Sequence, residues 1–474
     1  MTPRAFILAL FAAAATVLGA CSHADRMRST VAAFERGAYP KAAEDVSELL
    51  KGRRDSEKDR LLYELEAGSV FTAAGDAARA EKSFRWADEE MWRYLDNEPD
   101  VRVSEQAAAI ATNQTIVRYR GTTYDRIMCP TYLALGQLAK GDLDAAGVSL
   151  RRAYEWQRDA VEKNAKEIET LERKARKRAE EKGYDADRAM EDARTKEGLE
   201  SAYGPIREMR GYAEFAIPYA TYLQSVQQML TGRADAAAQA VVGFRKVAGM
   251  LREVDRAYAE ADAKAAEDAS IGKRQPPTVY VIVESGMAPA LEEFKISIPV
   301  FSRQLPYIGA AFPVLKLRPG GPSGFTVRAG NASHASMLLT DMDAVVAGDF
   351  NRRLPAIITM TIISSASKAV GTYFLQEAAE GGGNNTAAKW VAFGAAIYQA
   401  ATNSADLRTW LTLPKEVLHA RLDAPSDGLI SIDLGDGQRI GPLAVESGGD
   451  TLVHIRVPGS GATPAVRTMR FPRR

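Results

Sequence analysis

The sequence predicts an α+β protein: an N-terminal α-helical repeat array carrying a charged helical hairpin, followed by a mixed α+β C-terminal domain. Three observations predict it. Residues 24–265 are rich in Ala, Glu, Arg and Leu and show almost no alternation of the kind strands need. Lys273-Arg274-Gln275-Pro276-Pro277 then breaks the pattern, because proline stops helices and favours extended chain. Directly after it, Thr278-Val279-Tyr280-Val281-Ile282-Val283 is a β-branched run, the mark of a buried strand. The expected division is residues 1–20 as a signal peptide, 21–270 as the repeat domain with the hairpin over 155–200, and 278–474 as the C-terminal domain.

The clearest repeat runs from Glu64 to Asp88. It places Gly68, Phe71, Gly75, Ala80, Phe84 and Ala87 at the spacing of a tetratricopeptide repeat (TPR), so the array is expected to be TPR-like. Small residues at 68, 80 and 87 let two helices approach, Phe71 and Phe84 fill the groove between them, and Gly75-Asp76 turns the chain. Weaker copies include Gly37, Tyr39 and Ala42; Gly141, Leu143, Ala146, Leu150 and Ala153; and Gly232, Ala237, Val241 and Phe244. A generic array of helix pairs sharing only turn glycines is the alternative. Either arrangement presents a surface for partners and carries no chemistry of its own.

Between the third and fourth units, Glu155–Glu200 is strongly charged. Val161, Ala165, Ile168, Leu171, Ala175 and Ala179 form a narrow helical stripe, supported by the i,i+4 pairs Glu162–Lys166, Glu169–Arg173 and Glu172–Arg176. Gly183-Tyr184-Asp185 is expected to turn the chain back. Arg176 and Lys177 lie in a basic cluster that suits an anionic partner, although a solvated face explains it as simply. In the C-terminal region, strands are expected at Phe294–Ile298, Ala311–Leu317, Phe325–Arg328, Glu416–Leu422, Leu429–Leu434, Arg439–Val445 and Thr451–Val457. Helices are expected at Asp341–Ala379 and Ala387–Ala401, joined by Gly381-Gly382-Gly383-Asn384-Asn385. Gly435-Asp436-Gly437 reads as a hairpin turn. Leu354–Leu375 is apolar, but Lys368 and several Ser and Thr residues favour a docked helix over a membrane span.

The N-terminus combines Arg4, an apolar stretch from Ala5 to Val17 and the tetrapeptide Leu18-Gly19-Ala20-Cys21. The stretch is too short to span a bilayer comfortably and fits a signal peptide. The tetrapeptide resembles the lipobox of bacterial lipoproteins, which implies cleavage before Cys21 and attachment of fatty acyl chains such as palmitate to it. An ordinary secretory signal with a chance cysteine is the alternative. Two or more acyl chains give stable anchoring where one does not. Ser22 stands where Asp would retain a lipoprotein of this type at the inner membrane, so in a Gram-negative cell the expected location is the outer membrane, facing the periplasm.

Composition excludes little else. Arg4 is the one charged side chain in residues 1–20, so the remainder carries one basic residue fewer than 61 against 61 acidic ones. That balance predicts no nucleic-acid partner. With Cys21 lipidated, Cys129 has no intramolecular disulfide partner and is expected to pack as a small hydrophobe. No His-Glu-x-x-His, paired-Cys or Walker-type motif is present, and neither a metal nor a cofactor is expected. The four histidines are scattered; Ser323 among Gly320-Gly321-Pro322-Ser323-Gly324 reads as a turn, and His419 as a satisfied strand residue.

Four segments carry a further likeness: Tyr119-Arg120-Gly121-Thr122-Thr123-Tyr124-Asp125-Arg126; Pro218-Tyr219-Ala220-Thr221-Tyr222-Leu223; Glu284-Ser285-Gly286-Met287-Ala288-Pro289; and Asp406-Leu407-Arg408-Thr409-Trp410-Leu411-Thr412-Leu413-Pro414. In this order they resemble a family of tetratricopeptide-like bacterial envelope lipoproteins. The resemblance implies architecture and place and brings no activity with it. The expected function is a non-catalytic, lipid-anchored scaffold that holds an envelope protein or glycan, with Trp410, Arg408, Gly286, Arg176 and Lys177 as candidate partner contacts. Trp410 reads more simply as an anchor of the last strands on the helical layer, and Gly286 with Pro289 as a fixed turn after the strand. The alternative is an envelope hydrolase or transferase, which would need Ser323, His334 or His419 gathered with an Asp in a polar pocket.

Overall fold

In a computed structural model of the chain, the structure describes residues 22–55, 57–96, 118–181, 186–209, 211–299, 307–381 and 405–473. The protein is mixed α+β, with an N-terminal helical region followed by C-terminal strands. Cys21, Gly183-Tyr184-Asp185, the glycine-asparagine stretch over 382–385 and the helix expected over 387–401 lie outside the described residues.

The first helices come in hairpins. Helix α1 (His23–Glu35) turns into α2 (Tyr39–Leu50), and α3 (Arg60–Ala73) into α4 (Ala77–Asp96). The same step joins α5 (Thr123–Ala139) to α6 (Leu143–Glu181), and α9 (Pro218–Leu230) to α10 (Ala234–Met250). Each turn holds a glycine in the left-handed region: Gly37 at φ 75°, Gly75 at 80°, Gly141 at 77° and Gly232 at 69°. In three of them an amide beyond the glycine returns to a carbonyl of the last helical turn, as in Asp76 N–H to Phe71 O and Asp142 N–H to Gln137 O. Gly68 has the role its size predicted. A Cβ there would meet the Phe84 ring at 2.4 Å, so only glycine lets α3 close onto α4.

Helix α6 corrects the expected hairpin boundary. It runs unbroken from Leu143 to Glu181, so the first charged arm is the outward continuation of a packed helix and does not begin as an insertion at 155. Short helices α7 (Ala186–Glu191) and α8 (Ala193–Arg207) return the chain, and α11 (Ala257–Ser270) closes the helical region.

The eleven described strands are β1 (Thr278–Ser285), β2 (Ala290–Pro299), β3 (Tyr307–Lys316), β4 (Phe325–Ala329), β5 (Ala332–Ala335), β6 (Met337–Asp341), β7 (Glu416–Asp423), β8 (Leu429–Leu434), β9 (Arg439–Ala444), β10 (Gly449–Val457) and β11 (Ala465–Pro472). They form a five-stranded sheet in the order β11-β10-β1-β7-β6, a four-stranded sheet β5-β4-β8-β9 and the ribbon β2-β3. In the larger sheet β1 and β10 run parallel, and its other pairs are antiparallel. The sequence reading missed β5, β6 and β11. Strand β5 is a short, mostly exposed edge, and β11 carries Arg467 and Arg470, so neither gives an apolar run.

Every residue of β1 and β10 is buried, because both faces of the large sheet are covered. The period-two geometry of a strand sorts them. Val279, Val281, Val283, Val453 and Ile455 pack with Phe325, Val327, Ile430 and Ile432 of the small sheet. Tyr280, Ile282 and Leu452 instead join a core that runs from Leu61 in α3 to Phe471 in β11. The Lys273–Pro277 boundary is thus a change of secondary structure and not a break in the core. Helix α12 (Met342–Gly381) buries Leu354, Ala356, Ile358, Ile362 and Ile363 in this same core. Among the described residues no helix is long and apolar enough to cross a membrane.

Candidate functional site

The helix-facing side of the large sheet carries polar residues at alternate strand positions. Glu284 on β1, His454 and Arg456 on β10, and His419 and Arg421 on β7 are aligned by pairing register and covered by helices. Nε2 of His454 lies 3.1 Å from Oε1 of Glu284, and the Tyr132 hydroxyl of α5 donates to Oε2 at 3.1 Å. Burial alone would raise the Glu284 carboxyl, but His454, Arg456 and Tyr132 hold it below its ordinary value. Further along the seam, Arg421 pairs with Asp262 of α11 at 2.7 Å, and the Tyr222 hydroxyl donates to the same carboxylate at 2.7 Å. Burial pushes Asp262 up to about 6 even so. A buried charge left without its partner is costly, so these pairs fix one register of helices on sheet.

The second polar cluster is the joint around Trp410. Its indole N–H is shared between Ser69 Oγ at 3.1 Å and Thr412 Oγ1 at 3.0 Å, and its rings pack against Phe84 and Tyr132. Glu66, fully buried on α3, accepts from the Leu411 amide at 2.6 Å, the Thr412 amide at 3.1 Å and the Thr412 hydroxyl at 2.7 Å. Burial nevertheless drives its pKa up to about 7 against those three donors. Arg408 bonds Asp59 at 3.1 Å and Asp406 at 2.7 Å.

These placements put three of the candidate partner contacts in the interior, with Trp410 as an anchor and Gly286 in a fixed turn, the simpler roles expected for them. Trp410 is 1% exposed, Arg408 is spent on two internal carboxylates, and Gly286 is buried behind β1. The indole of Trp410 and the guanidinium of Arg408 dock the 405–415 segment on α3 and the Asp59 turn before it. Gly286 sits at φ 64°, and a Cβ there would stand 2.9 Å from Gly321 N and from Lys415 Cβ. Gly286→Ala is therefore expected to lose about 2–3 kcal/mol from backbone strain and crowding, read as a lower melting temperature. A loss below about 0.5 kcal/mol would show that the turn relaxes freely. Arg176 and Lys177 are exposed on α6, as a partner contact requires.

The serine and histidines of the hydrolase alternative are not brought together. His419 faces the helices, stacked on Tyr222 with ring centroids 4.7 Å apart, and its burial pushes its pKa down to about 3. Ser323 is exposed, and His334 lies on β5 opposite Val327, in the layer on the far side of the large sheet. The Cys129 Sγ lies 3.3 Å from the Phe84 carbonyl, with burial raising its thiol well above the ordinary value. Among the described residues no cluster of three His, Cys, Asp or Glu side chains is arranged to hold a metal.

A cleft between α5, α12 and the turn at 211–216 is lined by Tyr124, Tyr212, Phe215, Asp349 and Arg352. Phe215 has φ 55°, the single described non-glycine residue in that region, and the Arg352 guanidinium stacks 3.9 Å from its ring. The cavity itself is about 20 Å³, room for one water and not for an organic ligand.

The remaining candidate is the end of the helical array where the chain enters it. Ser22 Oγ accepts from the Asp25 amide at 3.1 Å, and the Asp25 carboxylate accepts from the Ser22 amide at 3.2 Å, a complete capping box. The next residue, His23, is only 4% exposed, with its ring 5.0 Å from Tyr63. Burial, then Arg408, Arg26 and Arg53, push its pKa down to about 3, so the imidazole is neutral. Ser22, the residue after Cys21, thus already belongs to the folded body. No family model, curated protein or solved structure matches this chain.

Proposed function

We propose that this chain is a lipid-anchored scaffold of the bacterial cell envelope, attached through Cys21 to the periplasmic face of the outer membrane and holding a protein or glycan partner. The observation that carries the reading is the tetrapeptide Leu18-Gly19-Ala20-Cys21 at the end of an apolar leader, set directly before a capped helix. A lipid on that thiol ties a rigid body to the bilayer, because Ser22 and His23 already belong to the fold. The helix hairpins are read as TPR-like, which the Gly68–Phe84 contact and the four glycine turns support. Partner contact is assigned to the exposed array and to the arm bearing Arg176 and Lys177, not to the buried joint at Trp410.

The test is labelling of growing cells with an alkyne analogue of palmitate, followed by fractionation. The wild-type protein is expected to take up label and sediment with outer membranes, whereas Cys21→Ala takes up none and leaves that fraction. Equal labelling and sedimentation of the two proteins overturns the reading.

A further inference from the structure

Helix α1 is held along its length by two different means. Its later part is packed: Met27 is 0% and Phe34 1% exposed, in one apolar cluster with Tyr63, Val70 and Phe71 of α3. Its first turn encloses a single side chain, His23, 4% exposed with its ring 5.0 Å from that of Tyr63. Both ring nitrogens are shielded from solvent, and neither has a hydrogen-bond partner among the described residues. The backbone of the turn is fastened by the Ser22–Asp25 capping box and by the Arg26 amide, which donates to the Ser22 carbonyl at 3.1 Å.

The charged and titratable groups that face His23 are Arg26 on α1, Arg53 in the loop after α2, the Tyr63 phenol on α3, and Arg408 with Asp406 in the 405–415 segment. Asp406, the one carboxylate among them, is bonded to Arg408 at 2.7 Å. Arg53 is bonded to Glu57 at 2.7 Å. An imidazolium in this niche would be desolvated, would stand beside three guanidiniums and would find the one carboxylate already taken. A neutral ring fits there and a charged one does not.

We infer that the first turn of α1 is an acid-released spacer: neutral His23 keeps the body against the bilayer, and protonated His23 leaves its niche and lets residues 22–26 unwind. The inference deepens the proposed function and rests on its anchor at Cys21. Extended chain spans about 3.5 Å per residue, so the released stretch reaches about 17 Å. The packed Met27 stops the unwinding there. Burial first, then Arg408, Arg26 and Arg53, lower the enclosed imidazole from 6.5 to about 3, so the proton is taken up by the released turn. The docked turn is fully favoured above 6.5 and loses ground as pH falls toward about 3. The ratio of released to docked turn therefore rises about 25-fold between about pH 7 and about pH 5. Asp25 does not oppose this, because its hydrogen bonds with Ser22 hold its carboxyl below the usual range and keep it ionised over that interval.

The test is hydrogen exchange on the protein purified from cells, read by mass spectrometry and corrected for the intrinsic pH dependence of exchange. A local readout is needed because Glu66 moves global stability with pH in the opposite sense. Protection of the Arg26 amide is expected to fall about 25-fold from about pH 7 to about pH 5, while residues 27–35 keep theirs within about threefold. His23→Phe keeps a ring on Tyr63 and binds no proton, so the same amide should change less than about threefold. Asp25→Asn weakens the cap at both pH values and should retain the pH response. The wild-type series stands by itself, whether or not the variants fold. A wild-type change below about threefold, a fall shared by residues 27–35, or an equal fall in His23→Phe overturns the spacer. The palmitate labelling above reads the anchor without reference to pH, so the two failures are distinguishable.

Discussion

Replacing Trp410 with alanine is expected to destabilise the protein by about 4 kcal/mol, the range found when a large aromatic is removed from a close-packed core. The side chain is 1% exposed and joins α3, α4, α5 and the 405–415 segment in one contact set, so the surrounding elements cannot collapse into the space together. Trp410→Phe retains most of the ring packing and loses the shared N–H. Its expected cost is about 1–2 kcal/mol, since Ser69 and Thr412 are left with one donor fewer. Urea denaturation of the two variants measures both. A loss below about 1 kcal/mol for Trp410→Ala would mean that the indole is peripheral and would restore it as a partner contact.

Glu66 offers the second large effect, and its sign depends on pH. Burial raises its pKa from 4.5 to about 7, so the folded protein holds that proton more tightly than the unfolded chain. The resulting stabilisation is complete below 4.5 and disappears as pH rises through about 7, a change on the order of 3 kcal/mol. Glu66→Gln does not titrate. It also turns an NH2 group toward some of the donors from Leu411 and Thr412, so it starts less stable than wild type. The melting-temperature gap between the two proteins is expected to be widest near about pH 5 and to narrow toward about pH 8. A gap that widens over that interval would show that the three donors, and not burial, govern this carboxyl.

The legibility of the fold follows from how local each signal is. Gly75, Gly141 and Gly232 were readable as turns because a positive φ between helices selects glycine from the sequence itself. The β-branched run of β1 was readable because a strand covered on both faces favours apolar side chains along most of its length. Strand β11 was not, since Arg467 and Arg470 interrupt any apolar alternation, and the places of Met469 and Phe471 in the core depend on pairing with β10. The length of α6 was not readable either, because nothing in the local pattern separates the repeat helix from the charged stretch that continues it.

The candidate site divides in the same way. The proposed leader ending at Cys21 is read from contiguous residues, so no tertiary contact is needed to suggest it. Trp410 and Gly286 each allow a partner contact or a structural role from sequence alone, an anchor for the last strands and a fixed turn, and their burial favours the structural one. Glu284, His454 and Arg456 were visible as charges within apolar strands, but their meeting depends on the parallel pairing of β1 with β10.

The helices, most of the strands and the glycine turns were legible from residues close together in the chain. Three-dimensional packing alone reveals that helices and sheets share one core, and that Trp410 closes a joint with Ser69 of α3. The physical reason is that burial and net local charge are sums over neighbours in space, and those neighbours here are brought together from as far apart as Glu66 and Thr412.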